Sequence, residues 1–238
     1  MTPDLLARLN EARAAKRPVA LLTRLPDGAQ TLFPGDSLPD ALAAEAAAAL
    51  RADKARNLVL DGETWFIHPH NPPLRLIVVG AVHIAQALVP MAATLGYAVT
   101  VVDPRRAFAT EERLGAEVAI SGDWPDEAMT ALAPDTRTAV VTLTHDPKLD
   151  DPALEVALRS PAFYIGCLGS RKTHAKRLER LREAGLTEAE LEKIHAPVGL
   201  DIGAITAAEI AVSILAQIVA TRRRAAPETA RGPKPDKT

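Results

Sequence analysis

The segment Gly80-Ala81-Val82-His83-Ile84-Ala85 has the composition of a phosphate-binding loop. It follows the apolar run Leu76–Val79 and leads into a helical pattern, so backbone amides and the positive helix end should face one point above a sheet. The dinucleotide-binding fingerprint uses glycine at three positions of such a turn. Gly80 keeps the first, but Val82 and Ala85 replace the second and third, and the β-branched Val82 would crowd a pyrophosphate.

An acidic residue follows at the place that the same fingerprint reserves for binding a ribose. Asp103 ends the second apolar run, Val99–Val102, roughly 20 residues after Gly80. These two features indicate either a phosphate-bearing ligand or a Rossmann shell that has lost its ligand. Hydride transfer with a nicotinamide cofactor is a weaker interpretation, because a fold alone does not specify a reaction.

A histidine and an aspartate follow the fourth apolar run, Ala139–Leu143. Open α/β sheets place their sites at the carboxyl ends of strands, so His145 and Asp146 are candidates for acid–base chemistry or ligand binding. The alternative is a turn in which Asp146 caps the chain locally before Pro147. The placement favours the functional interpretation.

The fifth apolar run, Phe163–Gly166, leads into a loop of glycines and cations. A serine that caps a helix, together with two cations at the helix start, is typical of phosphate binding. The residues predicted to bind an anion here are Gly169, Ser170, Arg171 and Lys172. The cations from Lys176 onward are predicted to form a solvated helix face.

Four further residues carry weaker signals. Asp201 lies in a glycine-flanked loop and could either orient a ligand or stabilise a turn. Cys167 has apolar neighbours, so we predict a buried structural thiol and not a nucleophile. His68 and His70 have no third ligand nearby in the sequence, so we predict no metal site. No residue is assigned a catalytic role.

The elements that must position these residues alternate between strand and helix at least five times after residue 74. This pattern is typical of an α/β fold, a Rossmann-like parallel sheet with helices on both faces, here over residues 74–222. Residues 1–70 predict a small α+β module, and the segment His68–Pro73 predicts a linker. A helix is expected to start at Asp151-Pro152, and the capping-box pattern Thr206–Glu209 to open the last helix. The tail 223–238 is expected to be disordered.

Composition limits the classes of function. The chain has 238 residues, a net charge of −2 and one cysteine. The charge gives no bias toward nucleic acid or membranes, and we find no membrane-spanning segment. A lone cysteine excludes a disulfide within the chain and indicates the reducing cytoplasm.

Taken together and in order, five groups of segments resemble the Rossmann domain of the XdhC/CoxI family, accessory factors of molybdenum hydroxylases such as xanthine dehydrogenase. The segments are Leu76–Leu88, Val99–Arg105, Thr144–Asp146 with Leu149–Leu154, Tyr164–Lys172 and Pro197–Ala204. The resemblance covers roughly residues 74–220. It adds Arg105 to the candidate binding residues.

The resemblance implies a role in maturation and not a dehydrogenase reaction. Proteins of this family bind the molybdenum cofactor, a molybdopterin with a terminal phosphate and often a nucleotide, and carry it without using it. They support its sulfuration by a cysteine desulfurase and deliver it to the apo molybdenum hydroxylase. The family also implies a possible homodimer.

The chain departs from the family pattern at two places. The first loop of the family usually reads Gly-Ala-Gly-His-Val, whereas Val82 stands here at the second glycine, with His83 retained. The N-terminal module of the family usually carries a Gly-Gly-Cys-Val-Glu-like segment, and residues 1–70 contain no cysteine. The module is therefore divergent, and no role of that cysteine transfers to this chain.

The leading hypothesis is a chaperone of the molybdenum cofactor for a xanthine dehydrogenase-like hydroxylase. The second is an NAD(P)-dependent oxidoreductase, based on Gly80 and Asp103. The third is a scaffold that binds partner proteins and no ligand.

Overall fold

The computed structural model describes residues 1–105, 107–115 and 118–224. The chain divides into two compact units. One comprises Met1–Pro72 together with Arg223 and Arg224, and the other comprises Pro73–Arg222. The expectation of a disordered tail over residues 223–238 is wrong for Arg223 and Arg224, because the last helix continues through them, and residues from 225 onward lie outside the described residues.

The first unit is an antiparallel sheet with two helices. Its strand order is β2-β1-β4-β3. The elements are α1 (Pro3–Ala14), β1 (Val19–Arg24), β2 (Gln30–Phe33), α2 (Asp40–Ala52), β3 (Arg56–Leu60) and β4 (Glu63–His70). Leu22 and Ile67 of the sheet are buried against Leu42 and Ala46 of α2.

The predicted linker is wrong for its first three residues. His68, Pro69 and His70 continue β4, where His70 pairs with Val19. A proline lacks the amide that a central strand needs. The register explains why Pro69 is tolerated: β3 reaches only as far as Ile67, so β4 has an open edge beyond that residue.

The second unit has six strands, and every strand pair in it is parallel. The strand order is β10-β9-β8-β5-β6-β7. The strands are β5 (Leu74–Val79), β6 (Tyr97–Val102), β7 (Ala119–Ser121), β8 (Thr138–Thr142), β9 (Tyr164–Cys167) and β10 (Ile194–His195). The helices are α3 (His83–Thr94), α4 (Glu111–Leu114), α5 (Pro125–Leu132), α6 (Pro147–Arg159), α7 (Arg171–Glu183), α8 (Glu188–Leu191) and α9 (Ala207–Arg224).

Both faces of this sheet are covered, which explains the continuous apolar runs in its strands. Val78 of β5 packs on one face with Leu88 of α3 and Ile214 of α9. Its neighbour Ile77 packs on the other face with Leu154 of α6. The predicted fold class, a Rossmann-like parallel sheet with helices on both faces after a small α+β module, is confirmed.

The order of the strands reverses next to β5. The chain runs outward from β5 through β6 to β7, then returns to β8 on the other side of β5 and continues to β9 and β10. Ligands of open α/β sheets bind at the carboxyl ends of the strands where this reversal occurs. The loops after β5 and β8 therefore flank the expected site.

The helix starts agree with the sequence patterns at two of three places. Ser170 caps α7, and Thr206 forms the predicted reciprocal pair with Glu209 before α9. The predicted start at Asp151-Pro152 is wrong because α6 already begins at Pro147. Asp146 and Pro147 supply the same N-cap and first-turn proline signals earlier in the chain.

In the part of the chain that the structure describes, no helix is long and apolar enough to cross a bilayer.

Candidate functional site

The turn after β5 depends on its glycine. Gly80 has a φ of 108°, a conformation that side-chain-bearing residues rarely adopt. A Cβ atom at this position would stand 2.5 Å from Cγ2 of Thr144. Gly80 thus serves both the turn and the close packing of the loop after β5 against the loop after β8.

Asp103 is held entirely by the protein. Its Oδ2 accepts hydrogen bonds from the Ala81 amide and from Nη2 of Arg105, each at 2.8 Å. Its Oδ1 accepts from the amide of Arg105 at 3.0 Å and from Nε at 2.9 Å. The side chain is fully buried. A ribose hydroxyl would therefore have to displace Arg105 to reach this carboxylate.

The charge state of Asp103 follows from these contacts. Burial would raise the pKa of the carboxyl group, but the hydrogen bonds from Arg105 and Ala81 outweigh it and hold the pKa below its ordinary value. The hydrogen bonds to Asp103 also raise the pKa of Arg105, with smaller contributions from Asp146 and Asp150 after β8. Arg105 thus links the loops after β6 and β8 electrostatically.

The start of α3 is open to a ligand. Val82 is its N-cap residue, and none of the described side chains caps this helix. Val82 is half-buried against the core, and His83, the first helical residue, is exposed. Uncapped amides at a helix start favour an anion. The side chain of Val82 thus reduces the space through which a ligand reaches the start of α3, but it does not cap the helix.

A buried carboxylate shapes the loop after β8. Asp150 accepts hydrogen bonds from the Thr144 hydroxyl at 2.7 Å, the Thr144 amide at 3.3 Å and the His145 amide at 3.1 Å. His145 adopts a φ of 62° and is exposed at the carboxyl edge of the sheet. Asp146 caps α6 by accepting from the Lys148 amide. The turn proposed as the alternative for Asp146 is therefore present, while His145 stays available to a ligand.

Asp150 also faces a buried arginine. Nη2 of Arg177 lies 3.6 Å from Oδ2 of Asp150, and each side chain is 1–2% exposed. Burial raises the pKa of Asp150, although Thr144 and Arg177 act in the opposite direction. The prediction of a solvated face from Lys176 onward is wrong for Arg177, because α7 turns this residue toward α6.

The loop after β9 leads to a cavity of about 270 Å³ between α6 and α7. His145 and Lys172, two predicted site residues, form part of its wall. Ser170 caps α7 through the Thr173 amide, and Gly169 adopts a φ of 139° beside Thr173. Arg171 is exposed at the helix start.

Asp201 and Cys167 are not among the residues that line this cavity. Asp201 is exposed on the loop before α9. Gln217 of α9 holds the beginning of this loop, because its Oε1 accepts hydrogen bonds from the Gly199 amide at 2.8 Å and from the Tyr164 hydroxyl. Cys167 is fully buried, 2.7 Å from the Thr142 hydroxyl, which confirms the predicted buried thiol.

The structure therefore brings most of the predicted residues to one edge in two linked groups. Gly80, Ala81, Val82 and His83 join Asp103 and Arg105 around the start of α3, and His145, Asp146 and Lys172 lie around the starts of α6 and α7. The sequence analysis missed Asp150 and Arg177. The signal for Arg177 was its spacing of four residues from Leu181, which places both on one helix face.

Comparison with known proteins agrees with this architecture. The sequence model of the XdhC Rossmann domain matches residues 76–218. The matched segment is more than half of the chain. The chain belongs to the XdhC Rossmann-domain family. The resemblance drawn from the sequence motifs is confirmed.

One curated relative of this XdhC-family chain is named for the molybdenum cofactor, and another is named for xanthine dehydrogenase. The molybdenum cofactor insertion chaperone PaoD of Escherichia coli K12 is 34% identical over 151 residues, 63% of this chain and 41% of that protein. A protein of Bacillus subtilis 168, named as a probable subunit of xanthine dehydrogenase, is 32% identical over 161 residues, 68% of this chain and 47% of that protein. The chain spans less than half of the length of either relative.

A solved structure shows the same fold. A crystal structure described as a xanthine dehydrogenase from Bacillus halodurans superimposes with a TM-score of 0.69 at 23% identity. The superposition covers 94% of this XdhC-family chain and 65% of the other.

Proposed function

We propose that this protein binds the molybdenum cofactor at the carboxyl edge of its parallel sheet and delivers it to an apo molybdenum hydroxylase of the xanthine dehydrogenase type. The observation that carries the proposal is the likeness to PaoD, a molybdenum cofactor insertion chaperone, within a shared family domain. The protein carries the cofactor as cargo and catalyses no step on it.

The chemistry of the edge suits such a cargo. The cofactor ends in a phosphate, and the uncapped start of α3 offers amides that favour an anion. Arg171 and Lys172 add positive charge at the same edge, where the charge of Arg105 is balanced by Asp103, and His83 and His145 are exposed there with donors and acceptors for a pterin ring. Gly80 has no side chain, so the backbone of the loop after β5 can approach the cofactor closely.

The same arrangement speaks against a nicotinamide-dependent oxidoreductase. Its ribose-binding acid would have to be Asp103, which is buried and already accepts four hydrogen bonds. The side chain of Val82 also reduces the space in which a pyrophosphate would lie.

We extend the proposal to the chemical form of the bound cofactor, to the partner proteins and to one further residue. We include the support of sulfuration by a cysteine desulfurase, a cofactor with or without an attached nucleotide, and a homodimer. We also include Asp201, on the loop before α9, among the ligand-facing residues. Each of these features extends the family resemblance to this chain.

Co-expression tests the proposal. An apo xanthine dehydrogenase-like hydroxylase is produced with and without this protein in a host that lacks a related chaperone. We expect the molybdenum content and the specific activity of the hydroxylase to rise when the protein is present. Measuring the terminal sulfur of the cofactor separately distinguishes support of sulfuration from insertion. Equal amounts of active, sulfurated hydroxylase in both cultures would refute the proposal.

A pair of variants of α3 locates the site. His83→Ala removes an exposed side chain at the start of the helix, and we expect it to lower the molybdenum content of the hydroxylase. Thr94→Ala changes an exposed residue at the other end of the same helix and serves as the matched control. If both variants behave like the wild type, the ligand binds elsewhere on the protein.

A further inference from the structure

The cavity between α6 and α7 has charged walls. Its volume of about 270 Å³ is room for a small polyatomic ion, since a water molecule takes up about 30 Å³ in the liquid. The charged residues in its walls are Asp150, Asp151, Lys172, Lys176, Arg177 and Arg180. Four cations thus face two carboxylates, and His145 lies at the border.

Two of these cations face carboxylates within the wall, Arg177 beside Asp150 and Arg180 beside Asp151. The guanidinium of Arg180 makes two hydrogen bonds to Asp151, of which Nη2 to Oδ1 measures 3.1 Å. Lys172 and Lys176 are exposed, and within residues 1–105, 107–115 and 118–224 their ammonium groups have no ion-pair partner. The cavity therefore has an excess of positive charge.

The buried arginine has hydrogen-bonding groups to spare. Nη2 of Arg177 donates to the Leu168 carbonyl oxygen at 3.0 Å, but Nε and Nη1 are buried without a partner among the described residues. Asp150 does not satisfy them: its oxygens accept from Thr144 and His145, and its contact with Arg177 is a separation of 3.6 Å between Oδ2 and Nη2, which is too long for a hydrogen bond. A buried cation with unmet donors is costly unless another group accepts from it.

The helix brings these three cations to the same cavity. Lys172 and Lys176 are four residues apart in α7 and share an exposed face, whereas Arg177, the residue after Lys176, is buried; all three side chains line the cavity. The planar guanidinium of an arginine matches the oxygen geometry of a phosphate.

We propose that the cavity between α6 and α7 binds a phosphate-type oxyanion through the spare donors of Arg177 and the ammonium groups of Lys172 and Lys176. Two sources share this chemistry: the terminal phosphate of the carried cofactor, and a free anion such as inorganic phosphate or pyrophosphate. Only the first source rests on the proposed function. The assignment of the cavity itself does not.

Calorimetric titration of the full-length protein with inorganic phosphate and with pyrophosphate tests the site. We expect saturable binding by the wild type and a loss of affinity of about tenfold or more in Lys172→Gln/Lys176→Gln, which removes two charge-assisted contacts. Both lysines are exposed, so this variant should fold normally. Lys148→Gln makes the same change at an exposed lysine that does not line the cavity and should bind within about twofold of the wild type, since an exposed charge without a direct contact is weakened by the solvent and salt around it.

A second variant addresses the buried donor. Arg177→Lys keeps the charge beside Asp150 but loses the planar fork, so it should lower the affinity for phosphate while circular dichroism shows a folded protein. No saturable binding by the wild type, or equal affinities in all variants, would overturn the assignment.

The co-expression assay separates the two sources. If Lys172→Gln/Lys176→Gln loses phosphate binding and also lowers the molybdenum content of the hydroxylase, the cavity takes the phosphate of the cofactor. If only phosphate binding is lost, the cavity takes a free anion. Phosphate binding by a protein that never matures the hydroxylase would refute the proposed function and support the cavity. Maturation of the hydroxylase by a protein that binds no phosphate would support the proposed function and refute the assignment of the cavity.

Discussion

The single cysteine is predicted to be unreactive in the folded protein. Cys167 is fully buried beside Thr142, and burial raises the pKa of its thiol to about 12. Since only the thiolate reacts, a disulfide reagent at neutral pH should label the native protein more than about a hundredfold more slowly than the unfolded chain. Absorbance of the released thiol with and without guanidinium measures both rates. Fast stoichiometric labelling of the native protein would show that Cys167 is accessible.

A glycine at the first loop supports both neighbouring strands. Gly80→Ala forces a side chain into a left-handed conformation and against Thr144, so we expect a loss of about 1–3 kcal/mol in the free energy of unfolding. Gly122→Ala is the matched control, because a Cβ there meets nothing within 4 Å. Urea titrations of the two variants compare the effects. Equal stability of both variants would show that the loop relaxes freely.

The ion pair between the buried Asp103 and the half-exposed Arg105 makes the fold sensitive to acid. The folded-state pKa of Asp103 is lowered, so its ionised form is stabilised by folding. This contribution is complete above the unfolded pKa of about 4 and disappears as the pH falls through the lower folded value. Asp103→Asn should therefore be less stable than the wild type at neutral pH, and the gap should close in acid. Urea midpoints across this range provide the measurement, and a constant gap would contradict it.

At the scale of elements, the apolar runs predict the central strands, but they predict neither the short strand β10 nor the pairing of the helices. Parallel strands buried on both faces leave continuous apolar runs, as Leu76–Val79, Val99–Val102 and Ala139–Leu143 do in β5, β6 and β8. The prediction fails at Arg177 because its partner, Asp150, lies on another helix. A local charge pattern cannot show a contact between helices that are distant in sequence.

The first turn of α6 depends on its cap. Asp146 accepts a hydrogen bond from the Lys148 amide, and its removal in Asp146→Ala should cost about 1 kcal/mol of stability. Asp146→Asn keeps a capping oxygen and should cost less, which makes it the matched control. Chemical denaturation resolves this difference. If Asn and Ala are equally destabilising, the charge of Asp146 matters more than the cap.

At the scale of the molecule, the sequence predicts where the candidate site lies but not how its residues are bonded. The loops after β5 and β8 flank the strand reversal, where the motif order already places Gly80 and His145. The spacing between Gly80 and Asp103 suggests a ribose ligand. In the structure, however, the Asp103 carboxylate accepts hydrogen bonds from the Ala81 amide and from Arg105. That pairing depends on the register between β5 and β6, which spacing alone does not define.

The larger compact unit has a core of its own. The unit Pro73–Arg222 has an open sheet of parallel strands with an apolar core on each face. A fragment of residues 73–224 is therefore long enough to bury a core of its own, and we expect it to unfold cooperatively. Circular dichroism during urea titration tests this, with the full-length chain as the reference. A gradual, non-cooperative loss of signal would mean that the parallel sheet requires residues 1–72, and the site at its carboxyl edge would then depend on them as well.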